Sequence, residues 1–283
     1  MVLFFTTFIT YMKAGLISLS RKRTPMKKIA YLVLVTLLTV SCVGSGGLYY
    51  DQLNKGEQIE TSRSQLDHSN YDALLKKYVN QKGFVDYKGL AKEQAKLKSY
   101  LVYLSVNPPK TDWETGEQFA YYINLYNAST LDLIIDNDMP GSIKDIDGPL
   151  GQVWLKNFIV VDGNDYSLAD IEKSVLQKMG DPRIHFAINC ASVSCPKLLN
   201  EAYTGKNVDQ LMTQAAKEFV NSDNNDLSDP SNPKLSSIFN FYTSDFKDHS
   251  GTLIDYVNQY ANKKINAGAS ISYKDYDWSL NKQ

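Results

Sequence analysis

Apolar residues recur at helical spacing through the first half of the folded region. Tyr71, Leu74, Leu75 and Tyr78 follow an i, i+3, i+4, i+7 pattern, which predicts a helix over 71–79. A second helix is predicted over 90–106, stopped by Asn107-Pro108-Pro109. A third is predicted over 115–135. From Gln118 to Ile135 its only charged side chain is Asp132, and a helix that is apolar nearly all round is buried. Met139-Pro140-Gly141 ends it. The second half is more broken. Runs at 158–161 and 166–168 flank Asp162-Gly163-Asn164-Asp165, a hairpin signal. A helix over 171–178, a short buried strand over 184–188 and a helix over 208–220 follow. Then come a strand-like run over 235–241, a helix over 252–260 and a last strand over 271–273. Helices come first and strands later, so the expected fold class is α+β: one helix-rich domain with a small, mostly antiparallel sheet.

The pattern before residue 67 is different. Met26-Lys27-Lys28 precedes an apolar run of roughly a dozen residues, which ends in Leu38-Thr39-Val40-Ser41-Cys42. A positive start, a short apolar stretch and small residues before a cysteine make a secretory signal that resembles a lipobox. The run is shorter than the about 20 residues a membrane span needs. Residues 26–41 are therefore expected to be a lipoprotein signal peptide. Cys42 is the expected lipidation site and mature N-terminus; the alternative is an uncleaved anchor helix. Residues 1–25 hold another apolar stretch followed by Arg21-Lys22-Arg23 and are read as an extension upstream of the true start. Residues 42–66 are Gly/Ser-containing and polar, which suits a flexible tether. Residues 67–283 form the globular unit. The chain is thus expected in the cell envelope, outside the cytoplasm, with a membrane as partner through its lipid.

Charge narrows the remaining partners. Thirty Lys and Arg against 31 Asp and Glu leave a net charge of -1, which argues against nucleic acid. Nineteen tyrosines suit either ordinary core packing or an aromatic-lined groove for a peptide or glycan. The histidines His68, His185 and His249 have no two at short ligand spacing, so no metal site is expected. No glycine-rich phosphate loop follows a strand, and no cofactor is expected.

The stretch richest in chemistry is Arg183-Ile184-His185-Phe186-Ala187-Ile188-Asn189-Cys190-Ala191-Ser192-Val193-Ser194-Cys195-Pro196. On a strand, Arg183, His185 and Asn189 would share one face and Cys190 the other. A His185–Cys190 pair then needs the strand to end before Cys190. Three readings of the cysteines stand side by side. Cys190 and Cys195 form a disulfide, as an oxidising envelope allows. Alternatively one is a nucleophile assisted by His185, with Arg183 favouring the thiolate. In the third reading both are inert and buried. Glu117 and Asn124 lie about 20° apart on the long helix and share a stripe. They and Asn127 form either a structural network or a polar cleft wall with an oxyanion donor. Glu172 either caps its helix or orients His185.

Together these residues resemble the family called domain of unknown function 547. Phe119-Ala120-Tyr121-Tyr122-Ile123-Asn124-Leu125-Tyr126-Asn127-Ala128 is similar to its aromatic-Ile-Asn helix, with Tyr122 where the family often has Trp. Asp170-Ile171-Glu172, the Arg183 to Cys190 run with Ser194-Cys195-Pro196, Phe241 to Phe246, and Tyr276-Asp277-Trp278-Ser279-Leu280-Asn281 also match. The resemblance implies that Asn124, Asn127, Glu172, His185 and Cys190 converge near one site. It favours Cys190 over Cys195 as the functional thiol. A papain- or transglutaminase-like arrangement is an analogy of fold only. The expected function is a thiol-dependent hydrolase or acyl transferase acting on amide bonds. Cys190 would attack, His185 would take its proton, Glu172 or an Asn would orient the imidazole, and Asn124 or Asn127 would line the cleft. The rival is a non-catalytic envelope binding protein for a peptide or glycan.

Overall fold

The structure is a computed structural model and describes residues 47–147 and 152–283. The signal peptide, Cys42 and residues 1–25 lie outside the described residues.

The first helix, α1 (Ser69–Tyr78), buries Tyr71, Leu74, Leu75 and Tyr78, the four positions its apolar spacing marks. The expected 90–106 helix is two pieces, α2 (Tyr87–Ala91) and α3 (Gln94–Ser105). Asp86 caps α2 by accepting the Gly89 N–H at 2.8 Å. The break falls at Lys92-Glu93. There the Glu93 carboxylate is held by Lys77 at 2.9 Å and Tyr78 at 2.7 Å, both on α1. This attachment sets the start of α3.

The axis of the fold is α4 (Thr115–Asp136), in which every residue except Asp132 and Asp136 is buried. Its buried N-terminal half is covered by residues 48–66, the segment whose composition suits a tether. Leu48, Ile59 and Leu66 are buried, Asp51 N–H donates to Gln118 at 2.7 Å, and the Tyr122 hydroxyl donates to the Tyr49 carbonyl at 2.7 Å. Gly116 N–H donates to the Glu60 carbonyl at 2.8 Å. A side chain at Gly116 would collide with that carbonyl, so glycine permits the close approach. A flexible segment would leave these α4 groups unpaired, which explains why the polar stretch is ordered from Leu48.

The predicted hairpin forms, with β1 (Ile159–Val161) antiparallel to β2 (Asn164–Tyr166). Asp162 and Gly163 turn it with φ of 49° and 74°, as a two-residue hairpin loop of this hand requires. A π-helical turn over Asp170–Val175 and a tighter turn over Leu176–Met179 follow. Next come α5 (Ile184–Ala187) and α6 (Val208–Val220). The strand-like 235–241 run divides. Lys234–Leu235 is β3, and Ser236 then caps α7 (Ser237–Phe241) by accepting the Ile238 N–H. Thereafter come α8 (Thr243–Ser250), α9 (Leu253–Tyr260) and β4 (Ser272–Tyr273), which pairs parallel to β3. The class is α+β, with one small antiparallel pair and one small parallel pair among the described residues.

One apolar core surrounds α4. A second is an aromatic nest of Phe186, Phe219, Phe239, Phe246 and Tyr256. Phe186, on α5, anchors the site region in that nest. Among the described residues, no helix is long and apolar enough to cross a membrane.

Candidate functional site

Residues 184–188, expected as a strand, begin as the helical turn α5. Asp181-Pro182 is a helix-start signal. The Asp181 carboxylate accepts the Arg183 N–H at 2.9 Å, and proline suits a first helical turn, where no N–H partner is needed. The turn closes with Ile188 N–H donating to the Ile184 carbonyl at 3.0 Å. The face alternation expected for a strand therefore does not apply, and His185 and Cys190 are placed by separate elements.

After α5 the chain extends to Cys190 and then reverses at Ala191, which has φ of 58° and is fully buried. A left-handed alanine is uncommon, and its surroundings hold it there. Ala191 N–H donates to Asn189 Oδ1 at 2.9 Å, and Asn281 N–H donates to the Ala191 carbonyl at 3.2 Å. The C-terminal segment crosses the whole loop. Val193 N–H donates to the Ser279 carbonyl and Asp277 N–H donates to Ser194 Oγ, both at 2.9 Å. The crossing brings Tyr276 to the cysteines.

Cys190 and Cys195 are free thiols, not a disulfide. Their sulfurs share a hydrogen bond at 3.0 Å. The Cys190 N–H donates to Cys195 Sγ at 3.1 Å. Cys190 Sγ is also 3.2 Å from Ser192 Oγ and 3.3 Å from the Tyr276 hydroxyl, and those two oxygens are 2.9 Å apart. Cys190 is half-buried and Cys195 buried. Hydrogen bonding from Cys195 brings the Cys190 thiol down to about 7, with Ser192 and Tyr276 adding to the effect. Burial and the Glu172 charge oppose it. Burial pushes the Cys195 thiol well up, as a negative neighbour at Cys190 also does. The two cysteines are thus unequal: the surroundings lower the Cys190 thiol and raise the Cys195 thiol.

Beside them is a second polar group. Glu172, on the π-helical turn, is buried and accepts the Tyr242 hydroxyl at 2.7 Å and the Tyr126 hydroxyl at 3.5 Å. π-Helical turns concentrate at functional sites, because the extra residue re-aims a side chain. The His185 ring stacks on Tyr242 with centroids 3.8 Å apart. His185 Nε2 is 2.8 Å from Asp245 Oδ2, and this bond holds the Asp245 carboxyl below the usual carboxylate range. His185 Nδ1 is buried without a hydrogen-bond partner. His185 therefore meets neither Cys190 nor Glu172 directly. The Tyr242 ring stands between the imidazole and the Glu172 carboxylate.

The other expected residues divide by role. Asn127 is the brace of the site: its Nδ2 donates to the Ala187 carbonyl at 3.0 Å, and its Oδ1 accepts the Asn189 N–H at 2.8 Å. It fixes the backbone immediately before Cys190. Asn124 makes the same pair of bonds elsewhere, with the Tyr203 carbonyl at 2.7 Å and the Tyr203 N–H at 3.1 Å. Glu117 accepts the Leu66 N–H at 2.9 Å and the Gly205 N–H at 3.0 Å, and burial raises its carboxyl. Asn124 and Glu117 bind loops to α4 and leave no free donor for an oxyanion. Arg183 is paired with Asp181 at 2.6 Å and Asp209 at 2.8 Å, not with a thiolate. Asn189, Ser192, Cys195 and Asn281 line a cleft of 560 Å³ together with Phe219 and Glu218 of α6.

Tyr276, Ser192, Tyr242, Tyr126 and Asp245 complete the site without a role that the sequence alone marks, although each lies in one of the segments 119–128, 183–196, 241–246 and 276–281. Only folding shows which of those side chains reach the sulfur or the imidazole.

Residues 110–220 match the family described as "Protein of unknown function, DUF547". The matched span holds α4, Glu172, His185 and both cysteines, whereas Tyr242, Asp245 and Tyr276 follow it. No curated protein and no solved structure matches the chain.

Proposed function

We propose that the protein, whose central segment matches a family defined without an activity, is a thiol-dependent hydrolase or acyl transferase acting on amide bonds. The supporting observation is Cys190: half-buried, hydrogen-bonded by Cys195, Ser192 and Tyr276, and brought down to about 7. A thiol lowered in this way carries more thiolate at neutral pH than an ordinary cysteine, and the thiolate is the nucleophile. The sulfur adds to the carbonyl carbon, the C–N bond breaks, and the departing amine takes a proton. That proton comes from solvent, and the hydroxyls of Ser192 and Tyr276, 2.9 Å apart beside the sulfur, can relay it without either being left ionised. The resulting thioester passes its acyl group to water or to another amine. His185, held by Asp245 and stacked on Tyr242, positions the Tyr242–Glu172 pair behind the sulfur rather than serving as the direct base.

The position of His185 also favours a second reading, a non-catalytic envelope protein that holds a peptide or glycan. One experiment separates the two. An activated ester probe should acylate Cys190 in the wild type under reducing conditions, and Cys190→Ala should lose acylation and turnover together. If Cys190→Ala keeps turnover, or the wild type binds amide ligands and never acylates, the hydrolase reading is lost.

The same reading places the domain in the cell envelope, anchored by lipid on Cys42. The lipobox-like sequence Leu38 to Cys42 supports this. Cys42→Ser is expected to move the protein from the membrane fraction to the soluble fraction. Unchanged membrane recovery would exclude the anchor.

A further inference from the structure

The cysteine loop carries a second chemistry. Acyl transfer needs one thiol, yet two free thiols lie 3.0 Å apart in unequal settings. Cys190 is half-buried, with hydroxyls of Ser192 and Tyr276 on its sulfur. Cys195 is buried, and its sulfur accepts the Cys190 N–H. Cys190 is the less buried of the two residues, and Cys195, which lines the cleft wall, lies within reach of whatever forms at Cys190. Attack order in thiol exchange depends on which sulfur is accessible and ionised. The segment between them, Ala191-Ser192-Val193-Ser194, is of small residues. A disulfide bond is about 2.05 Å, so the sulfurs need approach by only about 1 Å.

We propose that Cys190 and Cys195 are a nucleophilic and a resolving thiol that exchange with low-molecular-weight disulfides of the glutathione type, closing a reversible Cys190–Cys195 bond. The Cys190 thiolate attacks one sulfur of the external disulfide, forming a mixed disulfide and releasing one external thiolate. Cys195 then loses its proton to solvent and attacks Cys190 Sγ. The intramolecular bond forms, the mixed disulfide breaks, and the second external thiolate leaves and is protonated. The protein dithiol is oxidised by two electrons and the external disulfide is reduced to two thiols. Excess external thiol reverses both steps. While the bond is closed, Cys190 cannot attack an acyl group.

The inference shares with the proposed function only the reactivity of Cys190. Its test contains no acyl substrate, so either can fail alone. The full chain is incubated with glutathione disulfide, quenched with iodoacetamide, digested with trypsin and weighed. Residues 184–197 form one tryptic peptide holding both cysteines, apart from Cys42. In the wild type, this peptide is expected to lose both alkylation sites and carry no glutathione. Reduced glutathione should restore both sites. Cys195→Ser should instead retain glutathione on Cys190, because nothing resolves it. A stable glutathione adduct in the wild type, or two thiols still open to alkylation after oxidation, would overturn the proposal. The wild-type result decides it even if the variant does not fold.

Discussion

Asn127→Ala is expected to lower stability by about 2–6 kcal/mol and to slow reaction at Cys190. The buried amide serves two backbone groups, the Ala187 carbonyl at 3.0 Å and the Asn189 N–H at 2.8 Å. Truncation leaves both buried without partners, at about 1–3 kcal/mol each. For a domain of this size, the melting temperature should fall by about 5–15 °C. The two bonds bracket the step from α5 to Cys190, so their loss also frees the loop that aligns Cys195, Ser192 and Tyr276 on the sulfur. Asn124→Ala is the control. Its bonds are of the same kind but go to Tyr203 and His68, so it should destabilise without changing Cys190 alkylation in the folded protein. Thermal melts and iodoacetamide rates on both variants check this. An Asn127→Ala melting temperature equal to wild type, or equal alkylation effects in the two variants, would remove Asn127 as the brace of the site.

The second large effect concerns acid. His68 is buried, with Nδ1 2.6 Å from the Tyr100 hydroxyl and 3.3 Å from Asn124 Nδ2. Both neighbours can donate to that nitrogen, which keeps it unprotonated, and Nε2 has no hydrogen-bond partner. Burial lowers the imidazole to about 4, with the Asp67 charge weakly opposing. An exposed histidine in the unfolded chain titrates near 6.5. The unfolded state therefore binds the proton first. Stability from neutral His68 is fully present above about pH 6.5 and is lost as pH falls through about 4. The span corresponds to about 3 kcal/mol. Urea unfolding at neutral pH and near pH 4 should show the wild type losing about that much more than His68→Gln. Equal losses would mean that the ring is not buried in its neutral form.

The long elements were legible because they are periodic. α1, α4, α6 and α9 each repeat an apolar face over enough turns to exclude a strand. The run Ile184 to Ile188 was not. Five apolar or aromatic-rich residues fit a buried strand or a helical turn equally well, and Asp181-Pro182 decides for the turn. Residues 48–66 read as a tether because their few apolar residues are scattered. Leu48, Ile59 and Leu66 find buried places only once α4 exists to receive them. In the site, a cysteine beside a small polar loop was visible in the sequence. Its activation was not, because the Tyr276 hydroxyl arrives from 86 residues away by a chain crossing that no local pattern encodes. The division between Asn127 and Asn124 was likewise hidden. The two lie three residues apart on one helix, and only their partners separate the brace of the site from a clamp on a distant loop.

Everything proposed for the site turns on a Cys190 thiol that its neighbours activate. Its most direct test is the rate of iodoacetamide modification of Cys190 against pH, in the reduced full chain, followed on the 184–197 peptide. A midpoint near 7 is expected, because the hydrogen bonds with Cys195, Ser192 and Tyr276 lower the thiol. A midpoint at about 8.5 or above, the range of an ordinary cysteine, would contradict it.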